Sequence, residues 1–220
     1  MTFAYHDAQR ALQDRFDTRR LADTLSELIV HDELSESDVA FITSRDMFWL
    51  ASVDPDGLPT VSYKGGAPGF VAALDARTLA FPCYDGNGMY YSMGNLAAHP
   101  EVGLLFMDFE APNRLRVQGR ATLRDDAGLV AGFPGAQFVV TVEISAIFQN
   151  CPRYVHRMQK VGASRYVPAA DGSAPLAGWK RIDFIQPALA APDQGKAEAE
   201  GGLIDIGTWA GQVQSGDPMA

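Results

Sequence analysis

Met47-Phe48-Trp49-Leu50-Ala51-Ser52-Val53-Asp54-Pro55-Asp56-Gly57-Leu58-Pro59-Thr60-Val61-Ser62-Tyr63-Lys64-Gly65-Gly66 is the stretch that decides the fold. Two runs rich in β-branched and aromatic residues flank Asp54-Pro55-Asp56-Gly57, which is the make-up of a β-hairpin. Pro55 presets φ for the turn, and Gly57 can take the positive φ that closes it. The first run is apolar at nearly every position, which predicts a strand buried on both faces. The second alternates, with Val61 and Tyr63 on one face and Thr60, Ser62 and Lys64 on the other. A line of hydroxyls ending in a lysine suits an anion; it also suits a solvated sheet face.

Toward the C-terminus, Thr78-Leu79-Ala80-Phe81-Pro82-Cys83-Tyr84 reads as a third strand. Asp85-Gly86-Asn87-Gly88 forms a loop before a helix over residues 89–99, stopped by Pro100, with Asn87 as its candidate cap. A fourth strand follows over 102–109. A helix N-terminus beside Lys64 offers backbone N–H donors, a dipole and a charge to one phosphate. Between strands two and three, Gly65, Gly66, Pro68 and Gly69 remove side-chain bulk, which fits either a flat ring approaching the backbone or a simple bulge and turn. Residues 114–124 alternate strictly: Arg114, Arg116, Gln118, Arg120 and Thr122 on one face, Leu115, Val117, Gly119, Ala121 and Leu123 on the other. A last long strand covers 137–148, with Phe138, Val140, Val142, Ile144, Ala146 and Phe148 on one face.

The strings Ser-Tyr-Lys-Gly-Gly, Phe-Pro-Cys-Tyr-Asp-Gly-Asn-Gly-Met, Ser-Met-Gly-Asn and Arg-Leu-Arg-Val-Gln-Gly resemble the pyridoxamine 5'-phosphate oxidase-like family over roughly residues 40–155. The resemblance implies an FMN-binding split β-barrel, usually a homodimer with flavin sites at the subunit interface. The expected fold is α+β and mostly β: a six-stranded antiparallel split barrel with N-terminal helices and a short helix between strands. Ser62, Lys64, Asn87, Gly88 and Ser92 are then expected around the FMN phosphate, with Met89 as a further cofactor contact. Pro82, Cys83 and Tyr84 are expected to line the ring, with Arg114, Arg116 and Gln118 facing it. The implied activity is an FMN-dependent oxidoreductase acting on a small molecule, with the flavin carrying the redox chemistry. A non-catalytic flavin-binding or sensing protein, or a barrel using deazaflavin F420, are the alternatives. A true pyridoxamine 5'-phosphate oxidase is not expected. Pro59 stands where that enzyme carries an arginine, and residues 180–220 lack its Trp, Arg and His signature.

Composition narrows the setting. The 220 residues hold 18 Lys plus Arg against 27 Asp plus Glu, a net charge of -9, which disfavours a general nucleic-acid partner. Neither of the two cysteines, Cys83 and Cys151, belongs to a paired motif, and four scattered histidines show no metal-ligand spacing. The opening residues carry no basic region followed by an apolar core, and no apolar run is long enough to span a bilayer. A cytoplasmic protein without membrane partner is expected.

Three regions follow: an N-terminal helical extension (1–45), the FMN-binding domain (46–155) and a C-terminal extension (156–220). Residues 5–30 carry an apolar stripe of Leu12, Phe16, Leu21, Leu25, Leu28 and Ile29, broken into two helices if Asp17-Thr18 interrupts it. Ser35-Glu36-Ser37-Asp38 signals another helix start. Asn150-Cys151-Pro152-Arg153-Tyr154 closes the barrel region, with Cys151 as a structural thiol. Residues 187–202, rich in Ala, Pro, Gly, Glu and Lys, read as a flexible linker, and 211–220 as a frayed end.

Overall fold

The computed structural model describes residues 4–218 and residue 220. The chain forms two compact units, Met1–Gln159 and Lys160–Ala220. In the first, α1 (Asp7–Arg15), α2 (Arg19–Ile29) and α3 (Glu36–Thr43) precede the sheet. Asp17, at φ 50°, breaks the first two helices apart. Ser35 caps α3 as its sequence suggests: its hydroxyl accepts from Asp38 N–H at 3.1 Å and the Asp38 carboxylate accepts from Ser35 N–H at 2.9 Å. The same carboxylate meets His31 Nε2 at 2.8 Å. Burial pushes the Asp38 carboxyl up, and the Ser35 and His31 hydrogen bonds together outweigh it and hold the group below its ordinary value.

Next come β1 (Met47–Val53), β2 (Pro59–Gly65), β3 (Ala72–Asp75), β4 (Thr78–Tyr84), α4 (Tyr91–Ala98), β5 (Glu101–Asp108), β6 (Asn113–Arg124), the single-turn α5 (Ala127–Val130) and β7 (Ala136–Gln149). They build one antiparallel sheet in the order β2-β1-β5-β6-β7-β4-β3, a split barrel whose edge strands do not pair to close it. The sheet has seven strands instead of six. The extra one, β3, pairs Ala72 with Ala80 and is only four residues long, too short to show a period behind the Gly- and Pro-rich segment before it. In that segment a Cβ on Gly66 would lie 2.5 Å from the Phe70 ring, so packing of buried Phe70 is what demands the glycine.

The interior is aromatic at its centre. Phe48 lies 5.0 Å edge-on from Phe81 and 5.3 Å from Phe106, arrangements that add about 0.5–1.5 kcal/mol per pair to plain burial. β1 is not buried on both faces: Phe48, Leu50 and Ser52 face the interior, while Met47, Trp49 and Ala51 are half-buried on the outer face. In β2 the polar face is the sheltered one. Thr60, Ser62 and Lys64 are half-buried, whereas Val61 and Tyr63 are 64% and 62% exposed.

β7 departs from the expected single apolar face. Gln118 pairs with Ala146 but Gly119 pairs with Ile144, so Ser145 is an extra residue, a β-bulge. Ile144 and Ile147 therefore both enter the main core, and Ala146 and Phe148 turn to the other side, against Val30. Gly119 permits the bulge: a Cβ there would sit 2.3 Å from Glu143 O.

In the second unit, 3-10 turns at Gly178–Arg181, Asp183–Ala188 and Ala191–Asp193 lead to α6 (Lys196–Ala199) and α7 (Ile206–Ser215). Residues 187–202 are folded instead of forming a flexible linker. Lys180, 4% exposed, donates to Asp193 at 2.6 Å, and Leu189 and Ala197 are buried. Composition alone could not show this, because the lysine that fixes Asp193 lies outside the segment. Nor is 211–220 frayed throughout, since α7 runs to Ser215 and Tyr166 Oη donates to Ala220 O at 3.0 Å. Among the described residues no helix is long and apolar enough to cross a membrane, and no group of His, Cys, Asp and Glu could hold a metal.

Candidate functional site

The polar face of β2 meets the start of α4. Ser92 Oγ donates to Ser62 Oγ at 3.0 Å, and deeper in, Asn95 Nδ2 donates to Ser52 Oγ at 3.3 Å, fixing the helix on β1. Phe48 pairs with Lys64 in the sheet register, so the lysine shares the inward face of the strand pair. Burial lowers the Lys64 ammonium below its ordinary value, opposed only by the nearby Cys83 thiol. Burial raises Cys83; the Lys64 charge works against that and Asp85 adds to it. Tyr84, next along β4, is likewise raised by burial. Among the described residues no carboxylate forms an ion pair with Lys64. Lys64 is thus a half-buried lysine without a carboxylate partner, on the same strand face as Ser62 and near the helix start that carries Ser92.

The loop that delivers α4 differs from expectation. Tyr90, in the left-handed region at φ 47°, is the N-cap residue, and no side chain caps the helix. Asn87 lies too far ahead to reach the first turn; its Oδ1 instead accepts from Met89 N–H at 3.1 Å. Gly88 takes φ 75°, so glycine is needed there for the backbone alone. Tyr90 pins the loop to β7, donating to Gln137 at 2.8 Å and packing on Phe138. Pro82 is buried, so of the expected ring-lining trio only Cys83 and Tyr84 keep partly open side chains.

Arg114, Arg116 and Gln118 stand on the opposite face of the sheet. They alternate with the core residues Leu115 and Val117. Arg116 pairs with Leu105, Leu105 with Trp49 and Trp49 with Tyr63; Gln118 continues likewise through Gly103 and Ala51 to Val61. Arg116 and Gln118 thus border an apolar groove of about 210 Å³ walled by Trp49, Ala51, Val61 and Leu105. The Arg116 guanidinium lies 5.8 Å from the Phe148 ring. Arg114 is half-buried, and its Nε has no hydrogen-bond partner. Within one chain the structure therefore brings Ser62, Lys64, Cys83 and Ser92 together, and sets Arg114, Arg116 and Gln118 apart from them. The groove, the Ser52–Asn95 bond and the Tyr90–Gln137 bond were not anticipated. The exposed Val61 and Tyr63, opposite the hydroxyl row, were the available signal for the groove.

A family model for pyridoxamine 5'-phosphate oxidase matches residues 34–151. No curated protein matches the sequence. Among solved structures, a Lactobacillus delbrueckii protein provisionally described as a pyridoxamine 5'-phosphate oxidase is 28% identical, covering 54% of this chain and 95% of its own, with a TM-score of 0.43. An FMN-binding protein from Syntrophomonas wolfei is 11% identical, covering 64% of this chain and 97% of its own, with a TM-score of 0.42. A FAD-binding protein from Mesorhizobium loti is 16% identical, covering 56% of this chain and 99% of its own, with a TM-score of 0.37. With the matched segment spanning α3 through the end of β7, more than half of its length, the chain belongs to the pyridoxamine 5'-phosphate oxidase family.

Proposed function

We propose that this chain binds FMN and works as a flavin-dependent oxidoreductase on a small molecule. The observation that carries the reading is Lys64, half-buried and without a carboxylate partner, beside Ser62 and the first turn of α4. These groups suit a terminal phosphate: the ammonium supplies charge, the hydroxyls donate, and the helix start adds N–H groups and dipole. Cys83 and Tyr84 offer the neighbouring surface to a ring. FMN would supply the two-electron chemistry, so the protein need only bind, orient and shield it.

The face carrying Arg114, Arg116 and Gln118 completes such a site only across a subunit boundary, because in one chain it points away from Lys64. A homodimer answers that requirement. Val61 and Tyr63, exposed beside the groove, supply the apolar contact such an interface uses. The unpaired Cys83 and Cys151 suit a reducing cytoplasm. Pyridoxamine phosphate is not the proposed substrate, since Pro59 replaces the arginine that the resemblance leads one to expect.

Titration of the purified chain with FMN, followed by absorption and light scattering, tests the reading. One flavin per subunit in a dimer, bleached by a reduced nicotinamide and restored by air, is expected. A chain that ignores FMN overturns it, and one that binds FMN but shows no turnover with any donor is a binding protein.

A further inference from the structure

The first two helices bury almost nothing. α1 holds no buried residue and α2 only Ser26, while Leu12, Phe16, Leu21, Leu25 and Leu28 are 43–74% exposed. What joins the two helices is polar: Arg10 pairs with Asp23 at 2.7 Å, and Tyr5 Oη donates to Ala22 O at 3.1 Å. The barrel holds them only at the end of α2, where Ile29 packs against Val30, Ala146 and Phe148. There His31 N–H donates to Ile147 O at 3.1 Å. Helices of nine and eleven residues fall short of the about 12–15 at which an isolated helix becomes even marginal in water, so packing has to hold them.

α2 has two faces. Ala22, Ser26 and Ile29 form the sheltered one, turned toward its own chain. Leu21, Leu25 and Leu28 form the other, spaced by four and then three residues, the stagger of a seam between helices. On α1, Leu12 and Phe16 stand one turn apart in the same way. Such a seam takes its knobs from another helix, and charge narrows which one. Residues 7–28 hold four arginines against five carboxylates, nearly balanced in a chain of net charge -9. Arg10–Asp23 and Arg19–Asp14 already pair within the chain. A surface so balanced exerts no pull on anionic lipid or nucleic acid and does not repel a copy of itself.

We infer that the α1–α2 arm is an interface between copies of this chain, the leucine seam of one arm lying against that of the other. The five side chains leave about 500 Å² of apolar surface in water, the size of the largest patch on an ordinary monomer. Two such faces in contact bury about 1,000 Å², the least that a specific interface needs. A two-fold axis supplies the same seam from both sides, which is how most chains pair with themselves. The arm shares no residue with the groove on the outer face of the sheet and stands without the flavin reading.

Amide hydrogen exchange and sedimentation of the full-length chain, both without FMN, test the inference apart from the flavin. Exchange over residues 19–29 should slow as the wild type is concentrated, in step with its association, and this comparison needs no variant to fold. Leu21→Glu combined with Leu25→Glu alters two exposed side chains, so circular dichroism should still show a folded barrel. Association should weaken by about tenfold or more, because the seam would have to bury two unpaired charges, and the concentration-dependent protection should vanish. A wild type that stays monomeric overturns the inference, as does protection of 19–29 that is equal in monomer and oligomer. So does an association that the double variant leaves unchanged. Protection that appears only on vesicles of phosphatidylglycerol overturns it too, and makes a membrane surface the occupant of the seam.

Discussion

The two faces of the sheet behave unlike each other. The inner face is a packed interior of Phe48, Leu50, Phe81 and Phe106, and it turns polar toward β2, at Ser52, Thr60, Ser62 and Lys64. The outer face carries half-buried and exposed aromatics, the four arginines of β6 and a groove. A single strand such as β1 serves both: Phe48 is sealed while its neighbour Trp49 is not. The difference puts the packing that stabilises the folded unit on the inner face and leaves exposed aromatics and charge on the outer one.

The sharpest way to break this division is to truncate one residue from each face. Phe48→Ala should cost about 3–5 kcal/mol, because it removes a ring that touches three others and leaves a cavity. Tyr63→Ala, on the outer face, should cost the isolated subunit less than ~1 kcal/mol. Urea denaturation of both variants measures the ratio. Equal losses would mean that the outer face is part of the core of the folded unit.

The bulge tests how the faces are kept apart along β7. Gly119→Ala forces a Cβ against the Glu143 carbonyl, a backbone atom that cannot swing away. The expected loss is about 3 kcal/mol, at the upper end of overpacking costs, with Gly103→Ala as a mild control since its nearest contact would be 3.7 Å away. A harmless Gly119→Ala in thermal melts would show that the register can slip.

Much of this was legible in advance, and the misses share a cause. The hairpin, β4 and β6 are plain because alternation and turn chemistry are local. The cap on α3 is equally local. Asn87 failed as a cap because Tyr90, not the asparagine, takes the unusual φ, and sequence carries little trace of a left-handed tyrosine. The broken face of β7 was hidden because a bulge shifts the period by one residue without changing composition. Arg114, Arg116 and Gln118 were correctly put on one face of β6, but which face of the barrel that is depends on the whole sheet. The folded state of 187–202 depends on Lys180, a partner outside the segment.

A smaller effect is expected at the polar end of the inner face. Lys64→Ala should weaken FMN by about a hundredfold, ~2.7 kcal/mol, the scale of a charged hydrogen bond. Riboflavin, which has no phosphate, should be held almost equally by both proteins. Fluorescence titrations with the two ligands measure the coupling, and equal losses for both would place the phosphate elsewhere.

The smallest expected effect is a pH dependence, and its sign follows from burial. Lys64 is lowered from the ordinary 10.5, so the free protein sheds that proton earlier than a solvated lysine would. A bound phosphate favours the ammonium and returns the group toward its usual range. The complex therefore retains a proton that the free protein loses. FMN affinity should be full below the depressed Lys64 value and fall as pH rises through it, by at most about tenfold per pH unit because one proton is linked. It should level off again above the bound-state value, while riboflavin affinity stays flat. Cys83 pushes the same way, since its thiolate would stand beside the phosphate, so Cys83→Ser should be titrated in parallel. If the FMN-to-riboflavin ratio stays constant across the alkaline range in both proteins, the lysine is not the group that holds the phosphate, and the inner face has no anion site at its β2 end.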